Sequence, residues 1–148
     1  EIEFSSDFII AYPGEDKKDF NETLKLIDRI KFINSFSFIF SPRPGTVAYN
    51  LPEIDKKKSF ERLEMVQKKL FNNQINMNKS LENSTINVLV ENRMKDKSKL
   101  FGRSEYMTPV LLSGSDDLIG KIVKVKIQNS NKNSLFGNVV SQINQKVA

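Results

Sequence analysis

The chain has 148 residues, a size that suits one medium domain or two small ones, each with its own hydrophobic core. It contains no cysteine and no histidine. Disulfides, thiolate zinc sites and cysteine-ligated iron–sulfur clusters are therefore excluded on this chain, and the usual general base near neutral pH is missing. The net charge is +5, with 13 Lys/Arg against 12 Asp/Glu in residues 1–80 but 10 against 6 in residues 81–148. This asymmetry favours a polyanionic partner for the second half.

The N-terminal sequence opens on Glu1 and leads directly into an apolar run, without the pattern of a signal peptide. No apolar stretch is long enough to span a bilayer. We therefore expect a cytoplasmic location, and we expect the chain to be a segment of a longer protein.

Residues 1–78 alternate between the patterns of strand and helix. The apolar run Phe8–Tyr12 ends at Pro13-Gly14, which is typical of a strand covered on both faces in a parallel sheet. An amphipathic helix follows, with acidic residues at its start, and a second apolar run, Phe36–Phe40, comes next. A Lys-rich helix then extends to about Asn78. The pattern predicts a β-α-β unit followed by a helix.

The second half changes to the alternation of short strands separated by glycines and polar turns. Five antiparallel strands within about 65 residues are typical of a small OB-like barrel that binds oligonucleotides. The boundary lies in the polar stretch Asn76–Asn83, which predicts a first domain over 1–78, a barrel over 79–142 and a tail over 143–148. The predicted strands are Thr85–Glu91, Leu100–Arg103, Pro109–Ser113, Ile122–Ile127 and Leu135–Val140.

Two motifs, at their spacing, carry a resemblance to a known family. The segment Asp7–Glu15 ends a strand in Pro-Gly-Glu, and Phe38–Thr46 reads Phe-Ile-Phe-Ser-Pro-Arg-Pro-Gly-Thr. Together they resemble the last two β/α units of the partial, TIM-like radical S-adenosylmethionine (radical-SAM) barrel of the methylthiotransferase family, with Ala11 where the family has Gly. The helix with Glu61-Arg62-Leu63 and Gln67 resembles that family's connection out of the barrel.

The second half is similar to the family's C-terminal RNA-binding barrel, the TRAM domain. The similar segments are Gly102–Glu105, Asp117–Lys121 and Asn133–Gly137. One departure is the segment Tyr106-Met107-Thr108, where many members carry Asn-Arg. The resemblance therefore implies an α/β portion of a radical-SAM barrel followed by an all-β TRAM barrel.

The resemblance implies a parent enzyme that adds a methylthio group to C2 of isopentenylated adenosine 37 of tRNA. Its cofactors are S-adenosylmethionine and two 4Fe-4S clusters, each held by three cysteines upstream of this segment. Because this chain has no cysteine, we expect the fragment alone to be inactive and colourless. The resemblance assigns S-adenosylmethionine contacts to Ile10, Ala11, Glu15 and Arg43, and it implies the tRNA anticodon stem-loop and the N-terminal part of the same protein as partners.

The candidate RNA-binding residues are basic or aromatic, because Lys and Arg neutralise phosphates and aromatic rings stack on unpaired bases. Phe136 is either a further stacking face or, as we expect, part of the core. Lys124 and Lys126 also fit a merely solvated strand face. The predicted RNA contacts are Arg103, Lys121, Lys124, Lys126 and Tyr106.

Two other functions remain open from the residues. One is a stand-alone nucleic-acid-binding module with no link to catalysis. The other is the enzyme of the same family that methylthiolates a ribosomal-protein aspartate. The basic character of residues 81–148 favours RNA over protein as the substrate.

Overall fold

A computed structural model describes residues 2–95 and 99–142, so the predicted tail over 143–148 lies outside the described residues. The chain forms two compact units, Glu1–Asn73 and Gln74–Ala148. Within the described ranges, no helix combines the length and the apolar character that crossing a membrane requires.

The first unit is built on a β-α-β arrangement. Strand β1 (Asp7–Ile10) pairs in parallel with β2 (Phe36–Ile39), and helix α1 (Lys17–Ile30) connects them. Helix α1 begins where it does because the Asp16 carboxylate accepts hydrogen bonds from the backbone N–H groups of Lys18 and Asp19, at 2.6 and 2.8 Å. The predicted element order and parallel pairing are confirmed.

The core of this unit lies on one side of the two-stranded sheet, where α1 and helix α2 (Lys56–Ser80) contribute buried side chains. The other side is open: Ile9, Phe36 and Phe38 are 61, 64 and 54% exposed. The expectation of a strand covered on both faces is therefore wrong for the described residues, because the two helices cover only one side of the sheet. The buried side chains include Phe8, Ile10, Phe20, Leu24, Ile27, Val66 and Leu70.

The second unit is a closed five-stranded barrel, and all five predicted strands are confirmed. The strands are β3 (Thr85–Arg93), β4 (Leu100–Ser104), β5 (Pro109–Ser113), β6 (Ile122–Ser130) and β7 (Leu135–Gln142). They are adjacent in the order β3-β4-β5-β7-β6, with β3 also paired to β6. Apolar side chains alternate inward along each strand and fill the interior, among them Val88, Val123, Val125, Ile127 and Leu135.

The sequence predicts a wholly antiparallel barrel, and this prediction is wrong for one pair of strands. Strands β5 and β7 run parallel, with Val110 opposite Leu135, and the other four pairs are antiparallel. The reason is parity: strand direction cannot alternate all the way around a ring with an odd number of members. A closed barrel of five strands must therefore contain at least one parallel pair.

Two inward-facing glycines allow the barrel to close tightly. A Cβ added at Gly102 would lie 2.5 Å from the carbonyl oxygen of Leu89, and one added at Gly137 would lie 2.4 Å from that of Lys126. Both distances are below any contact that a real side chain makes, so the strands approach this closely only because these positions lack a side chain.

Candidate nucleic-acid interface

The outer face of β6 carries two lysines. Because side chains alternate along a strand, Val123, Val125 and Ile127 point into the barrel, whereas Lys124 and Lys126 are exposed. We call Lys124, Lys126 and the polar residues opposite them the lysine stripe. Lys124 lies opposite Asn87 and Ser141, and Lys126 lies opposite Thr85 and Asn138.

The lysines at this surface differ in whether the Nζ atom already has a hydrogen-bond or ion-pair partner. The Lys126 Nζ donates to the carbonyl oxygen of Asn83 at 2.6 Å. Lys121, just before β6, has its Nζ 3.9 Å from the Asp117 carboxylate, in an exposed and therefore weak ion pair. Lys124 has no hydrogen bond or ion pair to any residue that the structure describes. Lys124 is thus the most available cation of the stripe.

Arg103 lies on the outer face of β4 and is held by three contacts. Its Nε is 3.1 Å from Glu91 Oε1, its Nη1 donates to the carbonyl oxygen of Met107 at 3.4 Å, and its guanidinium lies 5.4 Å from the centre of the Phe101 ring. These contacts orient the planar guanidinium, and Glu91 neutralises part of its charge.

Strand β3 connects the predicted RNA contacts on the outer surface. Leu89 lies opposite Arg103 on one side and opposite Ile122, next to Lys121, on the other. Asn87, which lies opposite Lys124, donates to the Glu105 carboxylate at 2.9 Å. The structure therefore brings Arg103 and the three lysines onto one continuous surface.

Tyr106 lies in the turn between β4 and β5. The Ser104 Oγ accepts hydrogen bonds from the backbone N–H groups of Tyr106 and Thr108, both at 3.2 Å, and Met107 takes a left-handed backbone with φ of 60°. This turn places the half-buried Tyr106 just beyond Ser104, the last residue of the strand that carries Arg103. Its role in RNA binding stays a prediction.

Phe136 does not belong to the core. Leu135 and Gly137 on either side of it face inward and are buried, so alternation turns the half-buried Phe136 ring outward. The Lys99 Nζ lies 5.3 Å from the centre of this ring. The expectation of a core position was wrong, and the alternation of Leu135-Phe136-Gly137 was the signal that could have corrected it. Phe101 and Lys99 were not predicted as site residues.

Three of the four residues predicted to contact S-adenosylmethionine, Ile10, Ala11 and Glu15, lie together at the end of β1. Ile10 is 1% exposed within the core, whereas Arg43 is exposed on the loop after β2. Ala11 has a left-handed backbone with φ of 63°, which explains why the family pattern places glycine here. Among the four residues, Ala11 lines a cleft of about 380 Å³ that also borders Phe40, Ser41, Glu53, Lys56 and Phe60.

Glu15 is occupied by partners within the chain. Its carboxylate accepts the Ala11 backbone N–H at 3.0 Å and forms a largely buried ion pair with Arg62. Arg62 also donates to the carbonyl oxygens of Glu15 and Asp16, at 3.0 and 3.1 Å, and its guanidinium packs 5.1 Å from the centre of the Phe20 ring. Glu15 therefore holds the loop after β1 in place through contacts that the sequence did not reveal.

The donor set for a cluster is absent, since the chain has no cysteine to supply thiolates. Within residues 2–95 and 99–142, no group of three or more carboxylate, imidazole or thiolate side chains is placed to hold a metal ion. The residues of this chain do not fit a 4Fe-4S cluster.

A closed five-stranded barrel with lysines on its outer face is typical of the class of small barrels that bind oligonucleotides. The family model of the TRAM domain matches residues 79–140. The second unit therefore contains a TRAM domain, as the sequence motifs predicted.

The chain as a whole is similar to proteins named tRNA-2-methylthio-N(6)-dimethylallyladenosine synthase. It is 64% identical to the one from Pelagibacter ubique over 99% of this chain, 45% identical to that from Ruthia magnifica over 95%, and 40% identical to that from Wolbachia pipientis wMel over 93%. The chain spans about a third of the length of these relatives. The predicted resemblance to the methylthiotransferase family is confirmed.

One solved structure shows a weak likeness to this chain. A small protein from vaccinia virus (Wisconsin strain) matches with a TM-score of 0.35 and 20% identity, over 44% of this chain and 94% of that chain. This likeness is too low to bear on function.

Proposed function

We propose that the chain is the C-terminal part of a cytoplasmic tRNA methylthiotransferase that modifies C2 of isopentenylated adenosine 37, and that its TRAM barrel binds the tRNA anticodon stem-loop. The observation that carries the proposal is the 64% identity, over 147 residues, to a relative named for the synthesis of 2-methylthio-N(6)-dimethylallyladenosine in tRNA. This relationship favours a part of an enzyme over a stand-alone binding module.

RNA binding by the barrel is supported by the charge of its outer surface. Lys124 and Lys126 point outward from β6, and Lys121 lies just before that strand. Lys124 has no partner among the described residues and is free to contact a phosphate. Non-specific affinity arises from the release of counterions when lysines neutralise phosphates. Arg103, oriented by Glu91 and Phe101, adds a planar group that suits bidentate hydrogen bonding.

For the first unit, we propose the last β/α units of a radical-SAM barrel. Two parallel strands with an open apolar face, formed by Ile9, Phe36 and Phe38, fit a sheet that further elements of a larger barrel would cover. In the parent, S-adenosylmethionine supplies the methyl group and the radical precursor. The part of this chain that fits a small ligand is the cleft beside Ala11, and the clusters belong to other parts of the parent.

The RNA proposal is tested by fluorescence anisotropy with an anticodon stem-loop at several salt concentrations. If about three phosphates are neutralised, the log–log salt slope is about −2 to −3. Lys124→Ala should weaken binding to any RNA and flatten the slope by up to about 1. Lys57→Ala, which removes the same charge from an exposed position on α2, is the matched control and should leave the slope unchanged.

Arg103 separates shape or base recognition from simple charge. Arg103→Ala should weaken binding to the cognate stem-loop more than to an unrelated one, and Arg103→Lys should behave like Ala because it keeps the charge but loses the fork. If the chain shows no salt-dependent RNA binding at low ionic strength, the RNA proposal is wrong and the barrel is a protein-docking module.

The enzymatic part of the proposal is tested with a chimera. This chain replaces the matching third of the Pelagibacter ubique relative, and the tRNA of a host lacking the synthase is analysed for the methylthiolated nucleoside by mass spectrometry. We expect the product to be restored, and we expect Lys124→Ala together with Lys126→Ala to reduce it. A folded chimera that binds tRNA but yields no product contradicts the proposal.

A further inference from the structure

A row of apolar side chains crosses the outside of the barrel where β4, β5 and β7 adjoin. Phe101 lies directly opposite Leu111, and Leu111 lies directly opposite Phe136. Side chains opposite each other on neighbouring strands share a face of the sheet, and in an antiparallel pair such as β4–β5 their Cβ atoms are about 4.5–5.5 Å apart. We call these three side chains, all half-buried, the aromatic row.

The row lies outside the barrel because the core is already filled from the other face. Gly102 and Gly137, which follow Phe101 and Phe136, point inward against the backbone of the neighbouring strands. Alternation therefore fixes both rings on the outer surface. The interior does not need these two phenylalanines for packing, so their size and apolar character call for a different explanation.

A cation lies over each ring of the row. The Arg103 guanidinium is 5.4 Å from the centre of the Phe101 ring, and the Lys99 Nζ is 5.3 Å from that of Phe136. An exposed amide continues the row at each end, because Asn92 lies opposite Phe101 and Asn129 lies opposite Phe136. Rings, cations and amides match the three parts of a nucleotide: the base face, the phosphate and the hydrogen-bonding base edge.

We propose that the aromatic row is a stacking platform for unpaired bases, with Lys99 and Arg103 contacting the phosphates beside them. This inference rests on the proposed RNA-binding function and specifies which form of RNA the barrel selects. Phe101 and Phe136 are two strands apart, or about 10 Å, which leaves room for a base on each ring. A duplex hides its base faces within the stack, so the row distinguishes a single-stranded loop from a paired stem.

The platform also differs from the lysine stripe in what it recognises. The stripe meets phosphates in any RNA, paired or not, and its contribution falls with added salt. The row meets base faces, so its contribution requires unpaired nucleotides and depends little on salt. Strand β7 connects the two, since it carries both Phe136 and Asn138, the residue opposite Lys126.

The test uses the full chain with a fluorescein-labelled single-stranded RNA of about eight nucleotides and a duplex of the same length. Phe101→Leu and Phe136→Leu keep an apolar side chain of similar size but remove the aromatic face. Each should weaken single-strand binding by about tenfold and duplex binding by a much smaller factor, because a duplex presents no base face to the rings. Phe71→Leu, at an exposed phenylalanine on α2, is the matched control and should change neither affinity.

A second readout reports stacking directly and does not depend on affinity. The chain has no tryptophan, so the emission of 2-aminopurine placed in the single strand can be followed without interference. Saturation with the unmodified chain should quench this emission, and saturation with Phe136→Leu should restore it. Thermal melting of each variant checks that the barrel remains folded.

The outcomes separate this inference from the function on which it rests. If the unmodified chain binds RNA but both Phe→Leu variants bind single strands as it does, the platform is overturned while the RNA function stands. The platform is also overturned if the Phe→Leu variants lose binding to a protein segment but bind single-stranded RNA as the unmodified chain does. If the unmodified chain binds no RNA at low salt, the proposed function fails together with the platform.

Discussion

The two units of the chain differ in whether the edges of their sheets are hydrogen-bonded. In the TRAM barrel every strand is hydrogen-bonded on both sides, because β3 pairs with β6 and closes the ring. In the first unit, β1 and β2 pair only with each other among the residues that the structure describes. Closure leaves the barrel with no free edge, whereas the open sheet keeps both an edge and an apolar face available for pairing.

The contrast indicates which unit can present its candidate binding residues without help from other elements. The barrel contains its own core and displays its candidate RNA contacts on outward positions of paired strands, so it does not depend on further elements for its shape. The first unit instead leaves Phe36 and Phe38 more than half exposed. Among the described residues, helices α1 and α2 pack on one side of the β1–β2 sheet and leave its other side open.

The largest expected effect concerns local stability. Amide hydrogens of β3 and β6 should exchange at least about a hundredfold more slowly than those of β1 and β2, because opening a closed barrel breaks two ladders while opening β1–β2 breaks one. Hydrogen exchange followed by NMR measures this difference residue by residue. Uniform protection across both units would contradict the comparison and indicate that the first unit is self-sufficient.

The buried ion pair of the first unit offers the next largest effect. Arg62→Ala leaves the carboxylate of Glu15, whose side chain is 12% exposed, without its partner, and should cost about 3–5 kcal/mol in the free energy of unfolding. Urea denaturation monitored at probes in the first unit measures the loss. Replacing both residues, by Arg62→Met and Glu15→Gln, removes the unpaired charge and should recover most of the stability. A double variant as unstable as Arg62→Ala would show that packing against Phe20 matters more.

A smaller effect is expected in the barrel. Gly137→Ala places a methyl group 2.4 Å from the carbonyl oxygen of Lys126, so the β6–β7 ladder must spread, at a cost of about 1–3 kcal/mol. Gly114→Ala is the matched control, since its methyl group meets only the side-chain ends of Leu118 and Leu100, at 2.8 and 3.0 Å. Thermal unfolding should show a clearly larger decrease in melting temperature for Gly137→Ala than for Gly114→Ala. Equal losses would mean that the barrel can widen at β7.

The smallest effect concerns pH. The Asp19 backbone N–H, which donates to the Asp16 carboxylate, holds the pKa of Asp16 below its ordinary value of 3.8. The stabilisation from this N-cap is therefore present above pH 3.8 and is lost as the pH falls through the lowered pKa. Asp16→Asn keeps a capping acceptor but does not titrate, so unfolding of the first unit should depend less on pH in this range. An unchanged pH profile would show that ionisation of Asp16 contributes little to stability.

Much of the architecture followed from the sequence. The two strand–helix alternations and the five barrel strands were predicted because apolar periodicity is local: residues two apart share a strand face, and residues three or four apart share a helix face. The same alternation identified Lys124 and Lys126 as outward-facing, since Val123, Val125 and Ile127 form the complementary set. Motifs such as Gly102–Glu105 identified the TRAM domain without any structure.

Other properties depend on which strands close and which helices pack, and these are relations between distant residues. The parallel pairing of β5 with β7 follows from closing a ring of five, which no local pattern encodes. The partnership of Glu15 with Arg62 joins residues 47 positions apart. Phe101 and Phe136 become one surface only because Leu111, on the strand between them, pairs with both. The sequence by itself thus determined the elements and their faces, whereas the tertiary structure decided which faces meet, because long-range pairing is set by closure of the whole sheet.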